Sequence, residues 1–133
     1  MFGPAAALLA FLADRIIKTV ALSENGRGAF VFKATLNSGA IFGLPIPVPA
    51  IMAVSALVMA GVLVFALRER SPFGDAGAAL VLLGGLSNLI DRIRFGAVVD
   101  IFSVGLATFN ISDMMVVLGA LLILRSQKRR STP

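Results

Sequence analysis

The sequence has no cysteine, no histidine, no tryptophan and no tyrosine. Without cysteine there is no disulfide and no thiol nucleophile, and without histidine no serine-histidine triad; the two absences together remove the His/Cys zinc site. Charge is scarce as well: 14% of the 133 residues are charged, where a soluble domain has about 25%. The chemistry left is that of carboxylates, lysine and Ser/Thr hydroxyls, with asparagine and arginine as orienting groups. The net charge is +5, but no basic face interleaves with aromatic residues, which argues against nucleic acid as a partner. The basic residues read instead as determinants of membrane orientation.

What the chain does have is apolar surface. Hydrophobic residues make up 58% of it and the mean hydropathy is +0.95, the composition of an integral membrane protein. One membrane domain over 1–133 is expected. Four apolar runs, approximately 4–22, 48–67, 76–92 and 111–125, are each read as a membrane-spanning helix of about 20 residues. A cleavable leader is disfavoured for the first run. No Lys or Arg precedes it, and Asp14, Arg15 and Lys18 lie inside it. Asp14 and Lys18 are four apart, share a helix face and can pair.

Between the first two runs the pattern breaks. SENGRG is a turn cluster, and AFVFKATL is rich in aromatic and β-branched residues, as strands are. The reading is a small β-rich element at about 28–46 on one membrane surface, closed by the rigid segment Pro45, Pro47 and Pro49. The segment 71–74 reads as a short turn. In the third run Gly77, Ala78, Ala79, Gly84 and Gly85 permit close helix packing. Arg68 and Arg70 lie between runs two and three, and Arg125, Lys128, Arg129 and Arg130 follow run four. If both sets are cytoplasmic, so are both termini. The fold expected is an all-α membrane protein of four transmembrane helices with a small extracytoplasmic β-rich cradle.

The polar stretch 84–113, GGLSNLIDRIRFGAVVDIFSVGLATFNISD, holds three of the seven acids. Ionisable groups embedded in a membrane are costly and mark functional sites by default. Counted along the helices at about 1.5 Å per residue, Asp14, Asn88 and Asp113 lie at one level, in the outer half of a core about 30 Å thick. Two close carboxylates tend to share a proton, so that one can take a proton from water while the other donates to a carbonyl oxygen. Asp100 and Asp113 are the candidates for such a pair. A short connection could bring them face to face, and their sequence neighbours carry no cation, whereas Asp91 has Arg92 beside it and Asp14 has Lys18. Asn88 and Asn110 could orient a carboxylate or hold substrate backbone. That chemistry needs no metal and no cofactor. Spacing alone leaves other readings open: Asp113 as an early-turn acid favoured by the helix dipole, or the acids as a proton path.

At these residues the sequence resembles the lipoprotein signal peptidase (signal peptidase II) family. The blocks that carry the resemblance are Asp14 to Lys18 (D-x-x-x-K), then NSGAIFG with Asn37, Gly39 and Phe42. GGLSNLIDRIRFGAVVD follows, with Asn88, Asp91, Arg92 and Asp100, and then FNISD with Phe109, Asn110 and Asp113. Two positions depart from the family pattern: Arg15 stands where Gln is usual and Ser112 where Ala is usual.

The resemblance implies an intramembrane aspartic endopeptidase of the bacterial cytoplasmic (inner) membrane, with both termini cytoplasmic. Its substrate would be a prolipoprotein carrying a diacylglyceryl cysteine, cut before that cysteine, and its inhibitor a cyclic peptide of the globomycin type. The resemblance makes Asp100 and Asp113 catalytic. It makes Asp14, Lys18, Asn37, Gly39, Asn88, Asp91, Arg92 and Asn110 supporting or substrate-contacting, among membrane lipids as surroundings. The alternatives are a small proton-coupled transporter, which should show internal repeats, and a non-catalytic lipoprotein-binding homologue.

Overall fold

Polarity in the helices is inverted relative to a water-soluble bundle. The computed structural model describes residues 3–23, 34–38, 46–68, 71–105 and 107–130. Helix α1 (Gly3–Ser23) buries Ala7, Asp14, Lys18 and Ala21, one stripe at helical spacing. Leu8, Leu9, Leu12 and Ile16 face outward. Helix α2 (Val48–Arg68) buries none of its residues; Leu57 on it is 73% exposed. Water would penalise so large an apolar exterior, and lipid matches it. Helices α2 and α3 (Pro72–Phe95) are long and apolar enough to cross a membrane.

Helix α3 is central and packs against α1, α2 and α4 (Ile111–Arg130). Its buried stripe runs Gly74, Gly77, Ala78, Val81, Gly84, Ser87, Asn88 and Asp91. It begins earlier than the sequence suggests, because Ser71 is its N-cap: the hydroxyl accepts from the Gly74 amide at 3.0 Å, and Pro72 opens the first turn. Proline suits that position, where its missing N–H costs nothing. The Pro and Gly that read as a turn therefore start a helix. Gly96, at φ 66°, ends it, its N–H donating to the Arg92 carbonyl at 3.0 Å.

Small residues let α3 and α4 touch. A β-carbon added at Gly77 would sit 2.6 Å from the Gly119 carbonyl oxygen, and one added at Gly119 would sit 2.6 Å from that of Gly77. Backbone cannot yield as a side chain does, so Gly77→Ala is expected to destabilise the protein by about 1–3 kcal/mol. Thermal melting in detergent reads this out; an unchanged midpoint would mean that the helices part here without cost.

At the far end of α3 the chain turns to strands. Strand β1 (Thr35–Asn37) pairs antiparallel with β2 (Val98–Asp100), with Thr35 opposite Asp100 and Asn37 opposite Val98. Strands β3 (Phe102–Val104) and β4 (Ala107–Phe109) form a hairpin, with Phe102 opposite Phe109 and Gly105 at φ 60° in its turn. Of the β-rich element expected at 28–46, the described part is β1; its partner lies in the VVD block, and the expected short connection after it is the hairpin. Ala21, Ala34, Val99 and Ile101 form the apolar core here, with Ile17, Leu22, Phe102 and Ile111 against it. The strands thus rest on the end of α1 and the start of α4.

Candidate active site

The first turn of α4 fixes Asp113. The Asn110 side-chain oxygen accepts from the Asp113 amide at 2.9 Å, and the Asp113 carboxylate accepts from the Asn110 amide at 3.1 Å. This is a reciprocal cap, each side chain satisfying an orphan N–H of the helix start. The early-turn role for Asp113 is real, therefore, and occupies only Oδ2. Its Oδ1 accepts from Asn88 Nδ2 at 2.8 Å.

Asp100 ends β2, buried at 2% exposure. Its Oδ1 accepts from Asn110 Nδ2 at 2.9 Å, and its Oδ2 accepts from Asn37 Nδ2 at 2.9 Å and from the Thr108 hydroxyl at 2.7 Å. Asn110 therefore joins the two carboxylates: its amide nitrogen holds Asp100 while its backbone and oxygen hold Asp113.

Behind them lies an ionic cluster. Lys18, Asp14 and Asp91 are all buried. Lys18 Nζ reaches Asp14 Oδ2 at 3.0 Å, Asp91 Oδ2 at 2.8 Å and Asn88 Oδ1 at 3.1 Å. An ammonium has three protons and here has three acceptors. Arg15 pairs with Asp91 and also donates to Ser87. Asp91 accepts from the Val99 amide at 3.3 Å, so it grips β2 one residue before Asp100. Asp14 is bound by the hydroxyls of Ser87 at 2.6 Å and Ser112 at 2.7 Å and by the Ser112 amide at 3.1 Å. Lys18 therefore reaches Asp113 through Asn88, and Asp100 through Asp91 and Val99. Asp14 on α1, Asn88 on α3 and Asp113 on α4 are thus linked, Asp14 through Lys18.

Arg92 is half-buried and lies within electrostatic range of Asp113, Asp91 and Asp100. Its Nη1 donates to the Asn88 carbonyl at 3.4 Å, and its Nε is buried without a hydrogen-bond partner among the described residues. The sequence neighbours of the two aspartates carry no cation; the fold supplies one. Asp14, Lys18, Asn37, Asn88, Asp91, Asp100, Asn110 and Asp113 are linked in one network with Arg92 at its edge. Gly39 lies outside the described residues.

Four contributors escape a reading of the sequence. Thr108 and Ser87 belong to no motif of their own, and Arg15 and Ser112 stand out only as departures from the family pattern. The faint signal is that Arg15 neighbours Asp14, and Ser112 neighbours Asp113.

Fold and site together define a helical membrane protein that holds linked carboxylates, fully hydrogen-bonded, inside an apolar bundle. The sequence profile of Signal peptidase (SPase) II matches residues 6–127, and the chain belongs to that family. It is 41% identical over 99 residues to a lipoprotein signal peptidase of Pelotomaculum thermopropionicum; that match covers 71% of this chain and 65% of the relative, just under two thirds. It is 32% identical to a lipoprotein signal peptidase of Clostridium novyi, across 87% of this chain and 90% of that one. Its fold is similar to that of a bacterial membrane enzyme solved by the in meso method at 2.3 Å, with a TM-score of 0.79 at 18% identity, covering 98% of this chain and 89% of the other.

Proposed function

We propose that the protein is an intramembrane aspartic endopeptidase that removes the signal peptide from diacylglyceryl-modified bacterial prolipoproteins, cutting before the lipidated cysteine. The observation that carries this reading is the junction at Asn110, which holds Asp100 and Asp113 in one hydrogen-bonded unit. In the reaction one carboxylate takes a proton from water as the water oxygen attacks the scissile carbonyl carbon. The other carboxyl gives its proton to the carbonyl oxygen. The tetrahedral intermediate then collapses, and a proton passes to the leaving nitrogen. Asn37 and Asn88 hold the outer edges of the two carboxylates, and Arg92 Nε is the spare donor for a substrate carbonyl.

All four helices cross the bacterial inner membrane in this reading, with both termini cytoplasmic and the strands on the outer side. Membership in the signal peptidase II family supports the substrate class. The exposed apolar faces of α1, α2 and α4 support the lipid setting.

The test is incubation of the purified protein with a lipidated prolipoprotein, with mass spectrometry for loss of the signal peptide. Cleavage should be blocked by globomycin and unaffected by EDTA, since the sequence offers no His or Cys ligand. Loss of activity with EDTA, restored by zinc, would overturn the metal-free mechanism. Proton flux in proteoliposomes without any cleavage would favour a transporter.

A further inference from the structure

Among the described residues the carboxylate of Asp100 is held by three donors, and one of them stands apart. Two are asparagine amides with duties elsewhere: Asn110 caps α4 through its oxygen, and Asn37 belongs to β1. The third is the Thr108 hydroxyl, at 2.7 Å the shortest of the three and within the range of a charge-assisted O–H···O bond. The fold carries Thr108 to this place by backbone pairing. It faces Ser103 across the β3–β4 hairpin, and the Ile101 amide donates to the Phe109 carbonyl at 3.1 Å. That bond ties the hairpin to the residue following Asp100. Being β-branched in a strand, Thr108 has little freedom about χ1, so its hydroxyl direction follows the backbone.

We infer that Thr108 is a positioning residue for the proposed reaction: its hydroxyl fixes the outer oxygen of Asp100, and so the plane of that carboxylate against Asp113. The assignment rests on the aspartic reading above. The hydroxyl has one proton and spends it on Asp100, while its oxygen lies 3.5 Å from Asn37 Nδ2 as acceptor. Thr108, Asn37 and Asp100 thus form a closed triangle in which each member restrains the other two. A valine of the same shape keeps the strand and its packing and removes the hydroxyl, both its proton to Asp100 and its oxygen as acceptor for Asn37. Among the described residues Asp100 Oδ2 would then keep Asn37 alone, and the carboxylate could swing about its Cβ–Cγ bond.

The test uses the full-length protein in detergent, with kcat and KM measured for cleavage of a lipidated prolipoprotein. Thr108→Val should lower kcat by about 10- to 100-fold with KM within about twofold, as for loss of one bond to a charged group. Thr108→Ser, which restores a hydroxyl, should recover most of the rate. Asp100→Asn runs in parallel. An inactive Asp100→Asn beside a fully active Thr108→Val removes Thr108 and leaves the aspartic reading standing. An active Asp100→Asn removes both. Thr108→Ser as slow as Thr108→Val, or a rise in KM alone, overturns the positioning role. So does a fall in melting temperature that accounts for the whole loss through unfolded protein, which would make Thr108 a strand residue and nothing more.

Discussion

Replacing either Asp100 or Asp113 with asparagine is expected to abolish cleavage while the protein still folds and still binds substrate. Asparagine keeps the shape of the side chain and one acceptor oxygen, so Asn110 can continue to bridge the pair. At position 113 the amide can serve either Asn88 or the Asn110 N–H, and one of those bonds is lost. A lost bond to a carboxylate costs about 1.5–3 kcal/mol, below the stability of a folded bundle. Chemistry suffers far more. An amide can neither take a proton from water nor donate one to a carbonyl oxygen as a carboxyl does. General acid–base catalysis contributes about 10²–10⁴-fold, and a pair that shares one proton fails as a unit. The double variant should therefore be no worse than either single. Single-turnover cleavage, with binding of a labelled substrate measured in parallel, gives the result. Near-wild-type turnover by either single variant would sink the assignment.

The largest effect on folding should come from Lys18→Ala. The three acceptors around Nζ belong to Asp14, Asp91 and Asn88; removing the ammonium leaves Asp91 with Arg15, and leaves Asp14 buried with the neutral donors of Ser87 and Ser112. Breaking a buried ion pair from one side costs about 3–5 kcal/mol. Folded yield in detergent should fall sharply and the melting midpoint with it. Activity should fall further than folding, because Asn88 loses the contact that sets its amide against Asp113. Arg15→Gln should be milder, since Lys18 still neutralises Asp91. A Lys18→Ala protein that melts like wild type but does not cleave would reassign Lys18 to substrate contact.

How much of this could be read beforehand follows from the range of the interactions. Helix α2 is a uniform apolar run, and length and composition suffice to see it. Asp14 and Lys18 pair within one turn, so spacing exposes the pair; spacing marks Asp113 as an early-turn acid but not its reciprocal cap with Asn110. Spacing says nothing of Thr35 lying opposite Asp100, because that register joins residues far apart in sequence. It is equally silent on Ser112, whose hydroxyl and amide both serve an acid near the chain's start. Serine and threonine are legible as small or β-forming residues, and their partners exist only in three dimensions. Ser71 and Pro72 fail for a different reason. The same residues open turns and helices, and only the backbone that follows decides which.

The crossing of α3 and α4 works as a ruler. Backbone approaches backbone at Gly77 with Gly119, and again at Gly84, where an added β-carbon would meet the Ser112 carbonyl at 2.7 Å. Each helix advances seven residues between these points, in opposite directions, or about 10 Å of axis. Two contacts at matched intervals forbid sliding, since a slip of one turn would drive each glycine notch onto a side chain of the facing helix. Asn88 sits one turn beyond the second notch on α3, and Asp113 one residue from it on α4. Their bond lies at the edge of the notched section, on the side toward the strands. Its alignment is set by the spacing of glycines that bear no charge.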